Sequence, residues 1–494
     1  MTLLSLFAVN LLSENLLLLL SILIFTAILV SKVGARYGVP SLLLFLLIGM
    51  LVGADGIGLK FENYEIAETI GHFAMTIILF TAGLETSLPE TKPVLRQAVS
   101  LSTVGVLLTI LLTGTFIMAV FGGHFHYPWL GPILLAAIMS STDSASVFSV
   151  LRSKRLRLRE SLGPMLELES GNSDPIAYTL TMVMVSILSN AQMLGQSAGK
   201  TILVVLGLLV LQIAVGALVG IGVGYGAKWV LDHVKLPGGA LYSILILSTG
   251  FFAHGVAGLL QGNGLMALYV AAIIIGNKAR IQDRRSVNSF FEGMTWLMQL
   301  IMFLLLGLLA RPSRMLAVIV PALLIGAFLF LIARPVATFL TLLPFKRPSY
   351  RARTFTSWVG LKGSGPILFS LAPVVAGLEG SADIFNIVFI ITLFSLLLQG
   401  NTLSFVAKKL HMCYDEEPVV ESFGIEMPEN IGMLRDHTVT EEELQNGNTV
   451  RDLHLPHGIR IVTVRRGERF LVPHGSMPLE AGDHLVLILG ESDD

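Results

Sequence analysis

The chain has 494 residues, of which 53% are hydrophobic and only 14% charged, and its mean hydropathy of +0.76 excludes a water-soluble fold in favour of a polytopic membrane protein. The formal net charge of -1 hides a split: 17 of the 34 acidic residues but only 6 of the 33 basic ones lie from Cys413 onward, so a basic membrane part precedes an acidic tail. The lone cysteine, Cys413, excludes an internal disulfide and a multi-cysteine metal site.

No Lys or Arg precedes Lys32, so the basic start of a cleaved signal is missing, and the apolar run from Leu16 reads as a retained first helix. Apolar runs of about 20 residues, the length needed to cross hydrocarbon, predict about thirteen helices. They lie near 14–31, 40–58, 66–84, 97–121, 128–150, 162–189, 200–230, 239–259, 264–277, 287–309, 314–343, 354–377 and 382–407. Alternate connectors are rich in Lys and Arg, from Lys32 and Arg36 through the five basic residues of 152–159 to Lys408 and Lys409. By the preference of basic loops for the cytoplasm, the N-terminus is expected outside and the C-terminus inside.

Near residue 412 the apolar runs end, dividing a transmembrane domain, 1–411, from a cytoplasmic linker and regulatory domain, 412–494. The linker carries the acidic runs DEEP (415–418) and EEE (441–443). Beyond it, 459–464 and 484–489 alternate like strands, with RRGE (465–468) as a turn, which predicts a small, mainly β module.

The stretch from 140 to 175 places Asp143, Glu167, Glu169 and Asp174 within two apolar segments, and ionisable groups in hydrocarbon mark ion or proton paths. In the fifth helix, SSTDSAS (140–146) is almost entirely small and oxygen-bearing; in the twelfth, GLKGSGP (360–366) is glycine-rich around Lys362. A pair of interrupted helices, one in each half, points to a secondary transporter with inverted repeats. In the sixth helix, ELESGNSDP sets Glu167 and Asp174 about 20° apart in projection and Glu169 elsewhere on the circumference. Ser170, Asn172 and Ser173 add oxygens near Asp174. A carboxylate that holds either a proton or a hard monovalent cation is the minimum machinery of exchange. Lys362 is the expected counter-charge of Glu169, whereas Arg334, before Pro335, is expected to snorkel to an end. Glu85 closes the third helix as a helix-end charge, and His254 reads as an interior histidine.

The TD of the fifth helix, the ExES and following Asp of the sixth and the GLKG of the twelfth resemble the monovalent cation/proton antiporter family, in the NhaP-type and sodium/proton exchanger branch. FxxGLE at 80–85 and FLLLGLL at 303–309 fit the same branch. LPHGIRIVTVRRG and VPHGSMPLEAGDHLVL in the tail resemble the C-terminal subdomain of potassium-transport regulators, RCK-C or TrkA-C. Together they look most like bacterial potassium/proton antiporters with such a tail.

The resemblance implies an ion- and proton-binding site of Asp174, Asp143, Thr142 and Ser173, with a monovalent cation at Asp174 and Asp143, and a structural ion pair at Glu169. Glu167, Ser170, Asn172 and Glu85 are auxiliary candidates. Two positions depart from the family: Ser173 stands where relatives carry Asn, and Lys362 where they carry Arg. The implied protein is a homodimer in the bacterial inner membrane that exchanges potassium for protons and serves cation and pH homeostasis. It is no enzyme, needs no cofactor beyond a small-molecule ligand of the tail, and has no nucleic-acid partner. A sodium (lithium)/proton antiporter is the nearest alternative, and a ligand-gated cation channel the alternative of another class; a TVGYG pore loop and a Walker A sequence are both absent.

Overall fold

The computed structural model describes residues 16–36, 40–59, 61–124, 127, 129–154, 156–190, 198–236, 239–281, 283–415, 434–440, 443–453, 459–467 and 469–489. The first fifteen residues, most of the acidic linker (416–433), Glu441, Glu442 and Glu468 lie outside them. The chain divides into two compact units, Met1–Tyr414 and Asp415–Asp494.

The first unit is helical. In chain order its helices are α1 (Leu16–Arg36), α2 (Ser41–Val52), α3 (Tyr64–Glu85), α4 (Leu88–Phe121), α5 (Leu130–Ile138), α6 (Ser144–Ser153), α7 (Leu162–Leu188) and α8 (Ala198–His233). They continue with α9 (Gly239–Leu259), α10 (Gly264–Lys278), α11 (Arg284–Leu309), α12 (Pro312–Leu342), α13 (Tyr350–Trp358), α14 (Ser364–Val375) and α15 (Ser381–Lys409). Since α5/α6 and α13/α14 are halves of two broken helices, the described residues form thirteen helical segments. Among the described residues, seven helices are long and apolar enough to cross a membrane: α3, α4, α8, α9, α11, α12 and α15.

Two boundaries differ from the hydropathy reading. α4 begins nine residues early, because Ser87 and Pro89 start a polar first turn that no apolar run reveals. α2 stops at Val52, where Gly53 and the left-handed Gly58 turn the chain.

One series occurs twice: long helix, broken helix, long helix, as α4–α5/α6–α7 and again as α12–α13/α14–α15. The long leading helices even share their irregularities, with proline in the first turn, then a 3₁₀ turn (Lys92–Val94; Leu316–Val318) and a π turn (Leu101–Gly105; Leu329–Ala333). These repeats pack together as one group, while α2, α3 and α8–α11 form another. In the latter group, Gly49 and Gly307 bring α2 and α11 into backbone contact; a Cβ at either would lie 2.4 or 2.3 Å from the opposing carbonyl oxygen of Leu304 or Leu46. A short strand β1 (Leu156–Leu158) pairs with β2 (Cys413–Asp415) at the end of the unit.

In the second unit β3 (Leu434–Thr438), β4 (Ile459–Arg466), β5 (Arg469–Leu471) and β6 (His484–Leu489) form an antiparallel sheet in the order β3-β6-β4-β5. β4 runs two residues past the expected end, so its turn with β5 is tighter than RRGE and hinges on the left-handed Gly467. Val464, Leu485 and Leu487 face Val439, Met477 and Leu479 in the core. Arg466 clamps the buried Asp483 through two hydrogen bonds, 2.9 and 2.7 Å, and also reaches Glu480 at 2.6 Å.

Burial alone would raise the Asp483 pKa, but the Arg466 hydrogen bonds, the Glu480 amide and the Arg466 charge together hold it below the usual carboxylate range. Its contribution to stability is therefore complete above the ordinary Asp pKa and is lost as pH falls through the lowered one. Arg466→Met is expected to cost the tail about 3 kcal/mol at neutral pH and to flatten its acid sensitivity. Hydrogen exchange of the β6 amides in the full-length protein, at neutral and acid pH, checks both.

Candidate functional site

Between α5 and α6, residues 141–143 belong to no helix and Asp143 is extended, and between α13 and α14 the break covers 359–363. Unwound backbone in hydrocarbon requires partners for each polar group, and the two breaks supply some to each other: the Asp143 amide donates to the Leu361 carbonyl at 2.9 Å. The neighbouring helices supply more. On α7, Ser170 donates to the Thr142 carbonyl (2.6 Å) and accepts from the Ser144 amide (3.1 Å), while Ser173 accepts from the Thr142 amide (3.4 Å). On α15, Ser395 accepts from the Lys362 amide (2.9 Å) and Gln399 donates to the Trp358 carbonyl (2.9 Å).

Four half-helix ends meet here, and two of them carry an opposing charge. The Asp143 carboxylate caps the positive N-terminus of α6, accepting from the Ser146 amide (3.0 Å) and hydroxyl (2.5 Å). The Lys362 ammonium sits at the negative C-terminal end of α5, donating to the carbonyls of Ser141 (2.7 Å) and Ser140 (3.5 Å). Only glycine fits at 363, since a Cβ there would lie 2.0 Å from Asp143 Oδ2.

Asp174, on α7, accepts a hydrogen bond from the Ser141 hydroxyl. Both line a cavity of about 50 Å³, room for a few water-sized bodies, together with Thr142, Asp143 and 363–365. The opposite wall comes from the other helix group: Leu42, Met75, Ile78, Gln299, Met302 and Phe303. The cavity thus lies in the seam between the two groups. Among the described residues no cluster of three or more His, Cys, Asp or Glu side chains forms a metal site.

The structure brings Asp174, Asp143 and Thr142 together around one cavity. Ser173 does not line the cavity; it is fully buried behind it, on the unwound backbone. Ser170 has the same backbone role, and the half-buried Asn172 stays out of the lining. Glu167 lies two turns before Asp174 on α7, half-buried, with Glu85, Arg152 and Glu90 as its nearest charges. Glu85 itself is exposed at the end of α3.

The expected Glu169–Lys362 pair is corrected. Glu169, 1% exposed, is bound to Arg334, 4% exposed, and not to Lys362. Arg334 cannot snorkel because α12 continues to Leu342, eight residues or about 12 Å beyond it. Sequence reasoning also missed Ser141 and Gln299. Nothing distinguishes Ser141 from its neighbouring serines, but Gln299, a lone amide amid the apolar residues of α11, was a usable signal.

Residues 19–409 match the family described as sodium/hydrogen exchanger, transmembrane, and residues 435–494 match the TrkA-C domain. The chain belongs to the sodium/hydrogen exchanger family. This exchanger is 36% identical over 468 residues to the K(+)/H(+) antiporter NhaP2 of Shewanella oneidensis, covering 94% of this chain and 79% of that one. It is 37% identical over 399 residues to the K(+)/H(+) antiporter NhaP of Alkalimonas amylolytica, covering 80% of this chain and 67% of the relative. Its fold is that of the sodium proton antiporter MjNhaP1 from Methanocaldococcus jannaschii, with a TM-score of 0.70 at 22% identity over 79% of this chain and 97% of the other. The exchanger is accordingly a transporter of the cation/proton antiporter type, not an enzyme.

Arg334→Met leaves the Glu169 carboxylate buried without its counter-charge, at an expected cost of about 3–5 kcal/mol. In detergent this exchanger should then melt well below wild type, while Arg334→Met combined with Glu169→Gln recovers most of the loss. Lys362→Met should not be rescued by Glu169→Gln, since its ammonium serves the α5 carbonyls instead.

Proposed function

We propose that the chain exchanges potassium for protons across the bacterial cytoplasmic membrane, with Asp174 holding the proton and the cation by turns. The observation that carries this reading is the Asp174 carboxylate facing a small cavity in the seam between two helix groups, beside a crossing of unwound backbone. Asp174 binds a proton when the cavity communicates with one side, and releases it when a cation arrives from the other. Ser141, Thr142 and Asp143 complete an oxygen shell suited to a hard, weakly held cation. Asp143 and Lys362 remain fixed as helix-end charges and Glu169 remains paired with Arg334, which leaves one exchanging carboxylate and an electroneutral one-for-one cycle.

Potassium rather than sodium is supported by the two relatives named above, both K(+)/H(+) antiporters. The alternation of basic connectors supports an N-terminus outside and a C-terminus, with the TrkA-C domain, in the cytoplasm, where the acidic tail shifts transport on binding a small ligand. A homodimer in the membrane is part of the same proposal and rests on the family resemblance alone.

In liposomes loaded with a pH-sensitive dye, the wild type is expected to move protons on addition of potassium and more weakly with sodium or lithium. Asp174→Asn should fold, insert and exchange nothing at any pH. Near-wild-type flux in that variant would remove Asp174 from the mechanism, and a sodium-only response would turn the substrate to sodium.

A further inference from the structure

Above the cavity, toward the helix ends away from the basic connectors, titratable side chains continue along the same seam. On α7, one turn beyond Asp174, stands Tyr178; on α3, one turn before the cavity residue Met75, stands His72. The two rings meet edge to face with centroids 4.7 Å apart. Glu68 lies one turn further out on α3, half-buried and near enough for its charge to act on Tyr178, and Glu65 is exposed in the first turn. From α9, His254 lies near enough for its charge to act on His72. Phe369 of α14 closes the layer, its ring centroid 5.7 Å from that of Tyr178.

A purely apolar plug would seal the seam as well, so the two protonatable rings within it call for another reason. We propose that Glu68, His72 and Tyr178 carry protons between Asp174 and the water at the α3 N-terminus; this rests on the reading of Asp174 as the exchanging carboxylate. Positions i and i+4 on a helix are neighbours, which links Glu68 to His72 and Asp174 to Tyr178, and the ring contact links the two helices. The imidazole gains a proton on one nitrogen and releases the one on the other. The phenol takes that proton as it gives its own to the Asp174 carboxylate, so neither relay group keeps a charge.

The test uses full-length protein in vesicles of one orientation, with pH varied only on the side of the α3 N-terminus. His72→Gln is expected to lower exchange by about tenfold where that side must deliver the proton near neutral pH, with the half-saturating potassium concentration on the other side unchanged. Tyr178→Phe, which keeps the ring and its packing, should reproduce the shift. An unchanged pH response in either variant, or a uniform loss at every pH, would overturn the relay and leave a packing role. Asp174→Asn separates the two claims: if it still exchanges, the underlying reading has failed, and if it is silent while His72→Gln keeps the wild-type profile, the relay alone has failed.

Discussion

The constraint on which the structure depends is the satisfaction of unwound backbone inside hydrocarbon. Opening α5/α6 and α13/α14 at mid-length frees amide and carbonyl groups that cost several kcal/mol each if left unpaired. The Asp143 amide to Leu361 carbonyl bond joins the two openings, and serines of α7 and α15, with Gln399, take up further groups. Asp143 and Lys362 then compensate two of the helix ends. The crossing is thereby a fixed unit of the repeat-derived group. Because the cavity borrows its other wall from α2, α3 and α11, a displacement of one group past the other would change access without dismantling the crossing, as the proposed exchange requires.

The same accounting separates the buried carboxylates. Asp143 is held by a helix N-terminus and by Ser146; Glu169 is held by Arg334. Asp174 has instead the neutral Ser141 hydroxyl as its hydrogen-bond partner and open volume in front. A carboxylate in that position needs a proton or a mobile cation, and on the proposed reading of Asp174 that requirement is the physical basis of exchange. The tail follows a different logic: Arg466 and Asp483 are a fixed pair that holds a small β module together.

Much of this was legible beforehand for identifiable reasons. About thirteen apolar runs were expected and the described residues form thirteen helical segments, because hydrocarbon thickness sets the length of a run. The breaks announced themselves through SSTDSAS and GLKGSGP, whose small residues let backbones approach, most sharply at Gly363. Partner choice was not legible. Lys362 and Arg334 are both basic residues in apolar helices, and only tertiary depth puts Arg334 on Glu169 and Lys362 on the α5 carbonyls. The roles of the serines were not legible either: closeness in sequence to Asp174 does not reveal that Ser173 turns to the backbone, while Ser141, 33 residues away, supplies the hydroxyl that bonds to it. The strand Leu434–Thr438 escaped because LRDHT has no apolar alternation, as suits an edge strand.

The central claim is that proton and cation compete for Asp174. Adding potassium to the purified protein in weakly buffered detergent solution, with a pH indicator, measures that competition directly. The account predicts about one proton released per potassium bound, with potassium affinity falling about tenfold per unit of pH once the site is protonated. Potassium binding with no proton release, at an affinity independent of pH, would contradict it.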